Sequence, residues 1–154
     1  MAVEPKEYTK LAAEIMAVRA KKETPLAMVR TYGCQQNVSD GEKIKGMLQQ
    51  MGFGFTEDQE EADFILFNTC AIREHAEDRI FGNVGALKYL KRRNPSLIIA
   101  LCGCMMEQEH VANKIYKSFP FVGLVFGTHS LHHFPELMYN CLLYTSPSPR
   151  DLST

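Results

Sequence analysis

The chain has 154 residues, 45% hydrophobic and 23% charged, which suits one globular domain with a substantial core. Its 17 lysines and arginines stand against 18 acidic residues, and the net charge of -1 excludes an overall electrostatic pull toward a polyanion such as RNA. No apolar run is long enough to cross a membrane and Met1 to Lys6 lacks the apolar core of a signal peptide, so the expectation is a cytoplasmic monomer.

Residues 5 to 22 carry Leu11, Ile15 and Val18 at helical spacing, with Lys10, Glu14 and Arg19 on other faces. This predicts a helix packed outside the main fold, an N-terminal extension over 1–24 that breaks at Thr24-Pro25. Ala27 to Tyr32 reads as a short strand running into Gly33-Cys34. Ser39 and Glu42 have capping-box form, and Ile44, Met47, Leu48 and Met51 follow at i, i+3, i+4 and i+7, which predicts a helix over 40–51. After Gly52, Phe53 to Thr56 reads as a short strand and Glu57 to Glu61 as a solvated acidic connection.

Phe64-Ile65-Leu66-Phe67 is a continuous apolar run, the mark of a strand covered on both faces, and it opens into Asn68-Thr69-Cys70. A long helix is predicted over 73–93, with Ile80, Val84 and Leu87 on one face and Asn94-Pro95 as its stop. Its basic end, Lys88 to Arg93, admits an RNA contact, but cations complementing a helix C-terminus are the favoured reading. Leu97 to Leu101 is a third apolar run and ends in Cys102-Gly103-Cys104. A helix carrying Val111, Ile115 and Phe119, a strand at Gly123 to Phe126 and a last helix at 131–140 complete the order.

Strands alternating with helices specify an α/β fold: a mostly parallel sheet with helices on both faces, flavodoxin- or Rossmann-like, in a single domain over 25–140. Functional groups gather at the carboxyl ends of the strands in such sheets. Residues 141–154, with Ser146-Pro147-Ser148-Pro149, show no periodicity and read as a disordered tail. They also resemble translated sequencing-adapter read-through, in which case the native chain continues differently after about Asn140.

Five cysteines, an odd count, fit ligands or buried thiols better than disulfides in a reducing compartment. Cys34, Cys70 and Cys104 each stand just past a predicted strand, so one sheet brings them to the same edge. Two readings of the spacing stay open. Thiolates select zinc, copper(I) or iron–sulfur clusters, and three of them leave one coordination position for an exogenous group. A closed zinc site would recruit a fourth ligand such as His75 or Cys102. The other reading is three buried thiols packing as small hydrophobes. Cys102 belongs to the apolar run, whereas Cys104 lies beyond Gly103 at the turn, so Cys102 is expected to pack between sheet and helix.

Thr31-Tyr32-Gly33-Cys34-Gln35-Gln36-Asn37, Asn68-Thr69-Cys70-Ala71-Ile72-Arg73-Glu74 and Cys102-Gly103-Cys104-Met105 together resemble the N-terminal domain of the methylthiotransferase family, over roughly residues 27–140. Ala71 to Ala76 and Gly127-Thr128-His129 resemble the branch that modifies tRNA. Gln36 stands where methionine is common in the family, a departure that leaves Cys34 intact. The resemblance implies an auxiliary [4Fe–4S] cluster held by Cys34, Cys70 and Cys104 and involved in sulfur delivery. It also implies a second [4Fe–4S] cluster in a radical S-adenosylmethionine domain, a C-terminal RNA-binding domain, and a 2-methylthio group added to N6-isopentenyl-adenosine beside the tRNA anticodon. No Cys-x-x-x-Cys-x-x-Cys occurs in this sequence, so the expectation is a fragment inactive alone.

Around the cysteines, Gln35, Asn37 and Asn68 either donate hydrogen bonds to cluster sulfurs or satisfy turn backbone. Arg73 faces an RNA phosphate or a partner domain, and Glu74 caps its helix. His75, His110, His129, His132 and His133 read as structural. Competing readings are a flavodoxin-like nucleotide- or flavin-binding module, for which Gly33 to Asn37 supplies one glycine rather than a phosphate loop, and a zinc or thiol redox domain using Cys102 and Cys104.

Overall fold

The computed structural model describes residues 5–20, 24–32, 35–69, 81–103 and 109–145. Helix α1 (Pro5–Ala20) precedes β1 (Leu26–Thr31), α2 (Gln35–Gln50), the two-residue β2 (Gly54–Phe55) and β3 (Phe64–Thr69). Residues 81–86 are helical and pass through a turn at Leu87 into α3 (Lys88–Arg93). There follow β4 (Ile98–Gly103), α4 (Glu109–Ser118), β5 (Leu124–Phe126), a 3-10 turn (Thr128–His133) and α5 (Phe134–Thr145). The five strands form one sheet in the order β2-β1-β3-β4-β5, every pair parallel.

Alternation along the central strands explains why both faces are covered. Phe64 and Leu66 of β3, with Ile98, Ala100 and Cys102 of β4, pack on one face against Met16, Ile44, Leu48, Phe134 and Met138. Ile65, Phe67, Ile99 and Leu101 pack on the other against Val84, Leu87, Leu90, Val111 and Ile115. Helices α1, α2 and α5 therefore cover one face, and residues 81–93 with α4 the other. Successive strand residues point to opposite faces, so the apolar runs Phe64 to Phe67 and Ile98 to Leu101 fill both layers at once. All six residues of β3 and of β4 are buried. Among the described residues, no helix is long and apolar enough to cross a membrane.

Four expectations are corrected. Helix α1 is not packed outside the fold: Ala12 and Met16 are buried in the first core layer, and Val18, expected on the apolar face, is 79% exposed. Its partner is α5, where the Tyr8 hydroxyl meets Glu136 at 3.5 Å and its ring lies 5.5 Å from that of Tyr139. A helix more than a hundred residues away selects the buried face, which periodicity within α1 cannot reveal. Helix α2 begins at Gln35, so Ser39 lies inside it and its capping box is not used. The expected helix over 73–93 is interrupted at Leu87, whose N–H donates to the Val84 carbonyl at 3.0 Å in a tighter i to i−3 bond; residues 73–80 lie outside the described residues. Finally, α5 continues past Asn140 to Thr145 and buries Cys141 and Leu142. Phe134, Met138, Cys141 and Leu142 lie at i, i+4, i+7 and i+8, so the expected tail boundary at 141 falls inside an amphipathic helix. Residues 146–154 lie outside the described residues.

Candidate functional site

The strand order reverses between β1 and β3: the chain leaves β1 outward for β2, then returns to the far side of β1. In open parallel sheets the crevice at the carboxyl ends of two such strands is where ligands bind. Thr31 of β1, Asn68 of β3 and Cys102 of β4 share one register line, and Thr69 pairs with Gly103 one step further along. Cys70 follows Thr69 directly in sequence, Cys104 follows Gly103 directly, and Cys34 follows Thr31 by three residues. The cysteines themselves, with Arg73 and His75, lie outside the described residues. The three strand ends that lead to them are adjacent on one edge of the sheet.

The last residues of these strands are tied across the sheet. Asn68 and Thr69 are fully buried polar residues. The Tyr32 N–H donates to the Asn68 carbonyl at 2.8 Å, and the Thr69 hydroxyl donates to the Cys102 carbonyl at 2.8 Å. The Cys102 thiol donates to Asn68 Oδ1 with a sulfur–oxygen distance of 3.7 Å. On the opposite face, the Tyr32 ring stands edge-on to Phe67 at 5.4 Å and its hydroxyl accepts from Asn83 Nδ2 at 3.0 Å. Buried polar groups are stable only when bonded in this way, and each bond fixes the end of one strand against its neighbour.

Two glycines allow the close approach. Gly103 has φ +113°, and a Cβ there would lie 2.7 Å from the Thr69 nitrogen, with the Thr69 carbonyl oxygen nearer still. At Gly41 in α2, a Cβ would lie 2.7 Å from Thr31 Oγ1. Any larger residue would push α2 off the end of β1 or force the end of β4 away from Thr69.

Cys102 is buried on the α2 face as expected. Burial first, and then the charge of Asp40, push its thiol far above the ordinary cysteine range. Buried and hydrogen-bonded to Asn68, the thiol is held inside this core layer. Asp40, itself buried within α2, was not foreseen from sequence; a lone acid in a polar helix turn carries no signal of burial. Thr69 and Gly41 were also missed, although a glycine inside a helical pattern and a glycine between two cysteines both mark close backbone approach.

Of the other expected site residues, Gln35 and Asn37 lie in the first turn of α2, and Asn68 is bonded as above. His110, His132 and His133 are exposed, and the rings of the last two lie 3.9 Å apart. The basic segment is far from the strand ends: it precedes β4, whose six residues span about 16 Å before the site edge. There Lys91 Nζ donates to the carbonyls of Pro95 and Leu97 at 2.7 and 2.6 Å, and Arg93 pairs with Glu60 at 2.9 Å. These contacts tie the basic end to the loop after α3 and to the acidic connection before β3.

Residues 27–127 match the family model described as Uncharacterized protein family UPF0004. The chain is similar to the tRNA-2-methylthio-N(6)-dimethylallyladenosine synthase of Caldicellulosiruptor saccharolyticus, 52% identical over 136 residues, covering 88% of this chain and 28% of that protein. The protein of the same name from Clostridium perfringens strain 13 is 50% identical over 127 residues, covering 82% and 28%. That from Thermoanaerobacter pseudethanolicus is 47% identical over 139 residues, covering 90% and 29%. The chain spans less than a third of the length of these relatives. With the matched segment running from β1 through β5 and holding all three strand-end cysteines, the chain belongs to the UPF0004 family, the N-terminal domain of the methylthiotransferases.

Proposed function

We propose that this chain is the cluster-binding portion of a tRNA methylthiotransferase, with Cys34, Cys70 and Cys104 as the ligands of a [4Fe–4S] cluster. The observation that carries the reading is the register of the strand ends: Thr31, Asn68 and Cys102 align at the switch point, and the three cysteines follow within three residues of β1, β3 and β4. The donor chemistry fits such a group, since three thiols near one crevice suit an iron–sulfur cluster and Cys102 is withdrawn from competition. When bound, the group supplies an iron with an open position for the sulfur species to be transferred.

The chain's own residues hold and orient. Thr69 and Asn68 fix β3 to β4, Gly103 lets the chain turn immediately before Cys104, and Gly41 seats α2 against the end of β1. Gln35, Asn37 and Arg73 follow the same strand ends, where amide and guanidinium donors suit cluster sulfurs or an RNA phosphate. A radical S-adenosylmethionine domain with a second [4Fe–4S] cluster and an RNA-binding domain complete the enzyme. The substrate is the N6-isopentenyl-adenosine of tRNA, and the compartment is the cytoplasm.

Anaerobic reconstitution with iron and sulfide tests the reading. Wild-type chain should take up one cluster, and serine at Cys34, Cys70 or Cys104 should abolish or severely weaken it. Wild-type iron content in all three single variants would sink the assignment.

A further inference from the structure

We infer that Asn68 decides which thiol of Cys102-Gly103-Cys104 can serve the site, an inference that rests on the cluster-binding reading above. Asn68 is fully buried one residue from the end of β3, and its register partner across the sheet is Cys102. Both side chains lie on the α2 face, the face that Leu66 and Ala100 occupy two residues earlier. Oδ1 of Asn68 accepts from the Cys102 sulfur at 3.7 Å. On its other side the amide meets α2, where Nδ2 lies 3.6 Å from the position a Cβ of Gly41 would take. The side chain thus lies between β4 and α2.

This matters because Cys102 is otherwise the nearest competitor of Cys104. In a continued strand, residues 102 and 104 would share a face and both thiols would be offered to one metal. The extended alternation ends at Gly103, whose φ is +113°. The sulfur–amide bond then keeps Cys102 inside the layer, and Cys104 is the thiol that follows Gly103 in sequence. Asn68 is a positioning residue: it acts through Cys102.

The test uses the full chain with Asn68→Leu, which removes the acceptor, and Asn68→Asp, which keeps an oxygen in its place. In metal-free native protein, iodoacetamide labelling of Cys102, mapped by peptide mass spectrometry, should run about tenfold faster in Asn68→Leu than in wild type, the scale of one lost hydrogen bond. Asn68→Asp, whose carboxylate beside the thiol disfavours the thiolate further, should label no faster than wild type. With cobalt(II) as the probe, the sulfur-to-cobalt absorption per metal should rise in Asn68→Leu and fall back when Cys102→Ala is added. A merely structural role would lower stability without this Cys102-dependent band. Wild-type labelling and an unchanged cobalt spectrum in Asn68→Leu, with circular dichroism intact, would overturn the inference. If Asn68→Leu does not fold, Asn68→Ser, whose hydroxyl is too short to reach the sulfur, carries the same comparison. No thiolate–cobalt band in the wild type would instead overturn the cluster-binding reading, and Cys102 labelling would then decide the role of Asn68 by itself.

Discussion

Gly103 lies so close to Thr69 that the two backbones leave no space for a side chain: a Cβ at position 103 would stand 2.7 Å from the Thr69 nitrogen. Thr69 in turn holds the carbonyl of Cys102 through its hydroxyl at 2.8 Å. Gly103, which separates Cys102 from Cys104 in sequence, is therefore locked onto the residue that precedes Cys70.

Gly103→Ala follows directly. The substitution combines a left-handed φ with a backbone clash, and strain and overpacking of this kind each cost about 1–3 kcal/mol. Urea unfolding should show a loss of about 3 kcal/mol. A loss below about 0.5 kcal/mol would mean that the turn relaxes freely.

Cys102→Ala should leave iron content and the cluster's absorption spectrum at wild-type values after reconstitution. It removes one small buried side chain and should cost about 1 kcal/mol of stability. Loss of the cluster with the fold intact by circular dichroism would point to a closed site of four cysteines.

The same residue makes the metal-free chain alkali-sensitive. Its folded pKa is raised above the ordinary value of 9.0, so between the two the unfolded state has released a proton that the folded state retains. Stability from this group is fully present below pH 9.0 and declines above it, by about 1.4 kcal/mol per pH unit for one proton. Unfolding free energies from pH 8 to 10 should fall more steeply in wild type than in Cys102→Ala. Parallel curves for the two proteins would refute this origin.

Helix α1 offers a contrast within one element. Met16→Ala should destabilise by about 3 kcal/mol, because it empties a fully buried position between α1, α5 and the sheet. Val18→Ala, at a residue 79% exposed, should change stability by less than about 0.5 kcal/mol. Equal thermal shifts for the two would show that α1 does not dock as described. Leu142→Ala, also fully buried, should behave like Met16→Ala, since α5 is the surface on which α1 rests.

Much of this protein is legible in the order of its residues. The apolar runs Phe64 to Phe67 and Leu97 to Leu101 can only be strands covered on both faces, because alternating side chains leave no polar side for solvent. With helical periodicity between them, they dictate a parallel α/β sheet, and sequence alone places cysteines 34, 70 and 104 just past strands. Cys102 was separable from Cys104 for the same local reason, its membership of the apolar run. What sequence could not decide depends on contacts between distant segments. The buried face of α1 is chosen by α5, which is why Ala12 and Met16 rather than Val18 enter the core. Helix α2 starts at Gln35, four residues before Ser39, so the local capping signal does not set its beginning. The position of β2 outside β1, and with it the switch point, follows from packing of the whole sheet. Local chemistry determines which elements form and which thiols end the strands; only the folded sheet determines that Thr31, Asn68 and Cys102 fall on one line and that the Asn68 amide reaches the Cys102 sulfur.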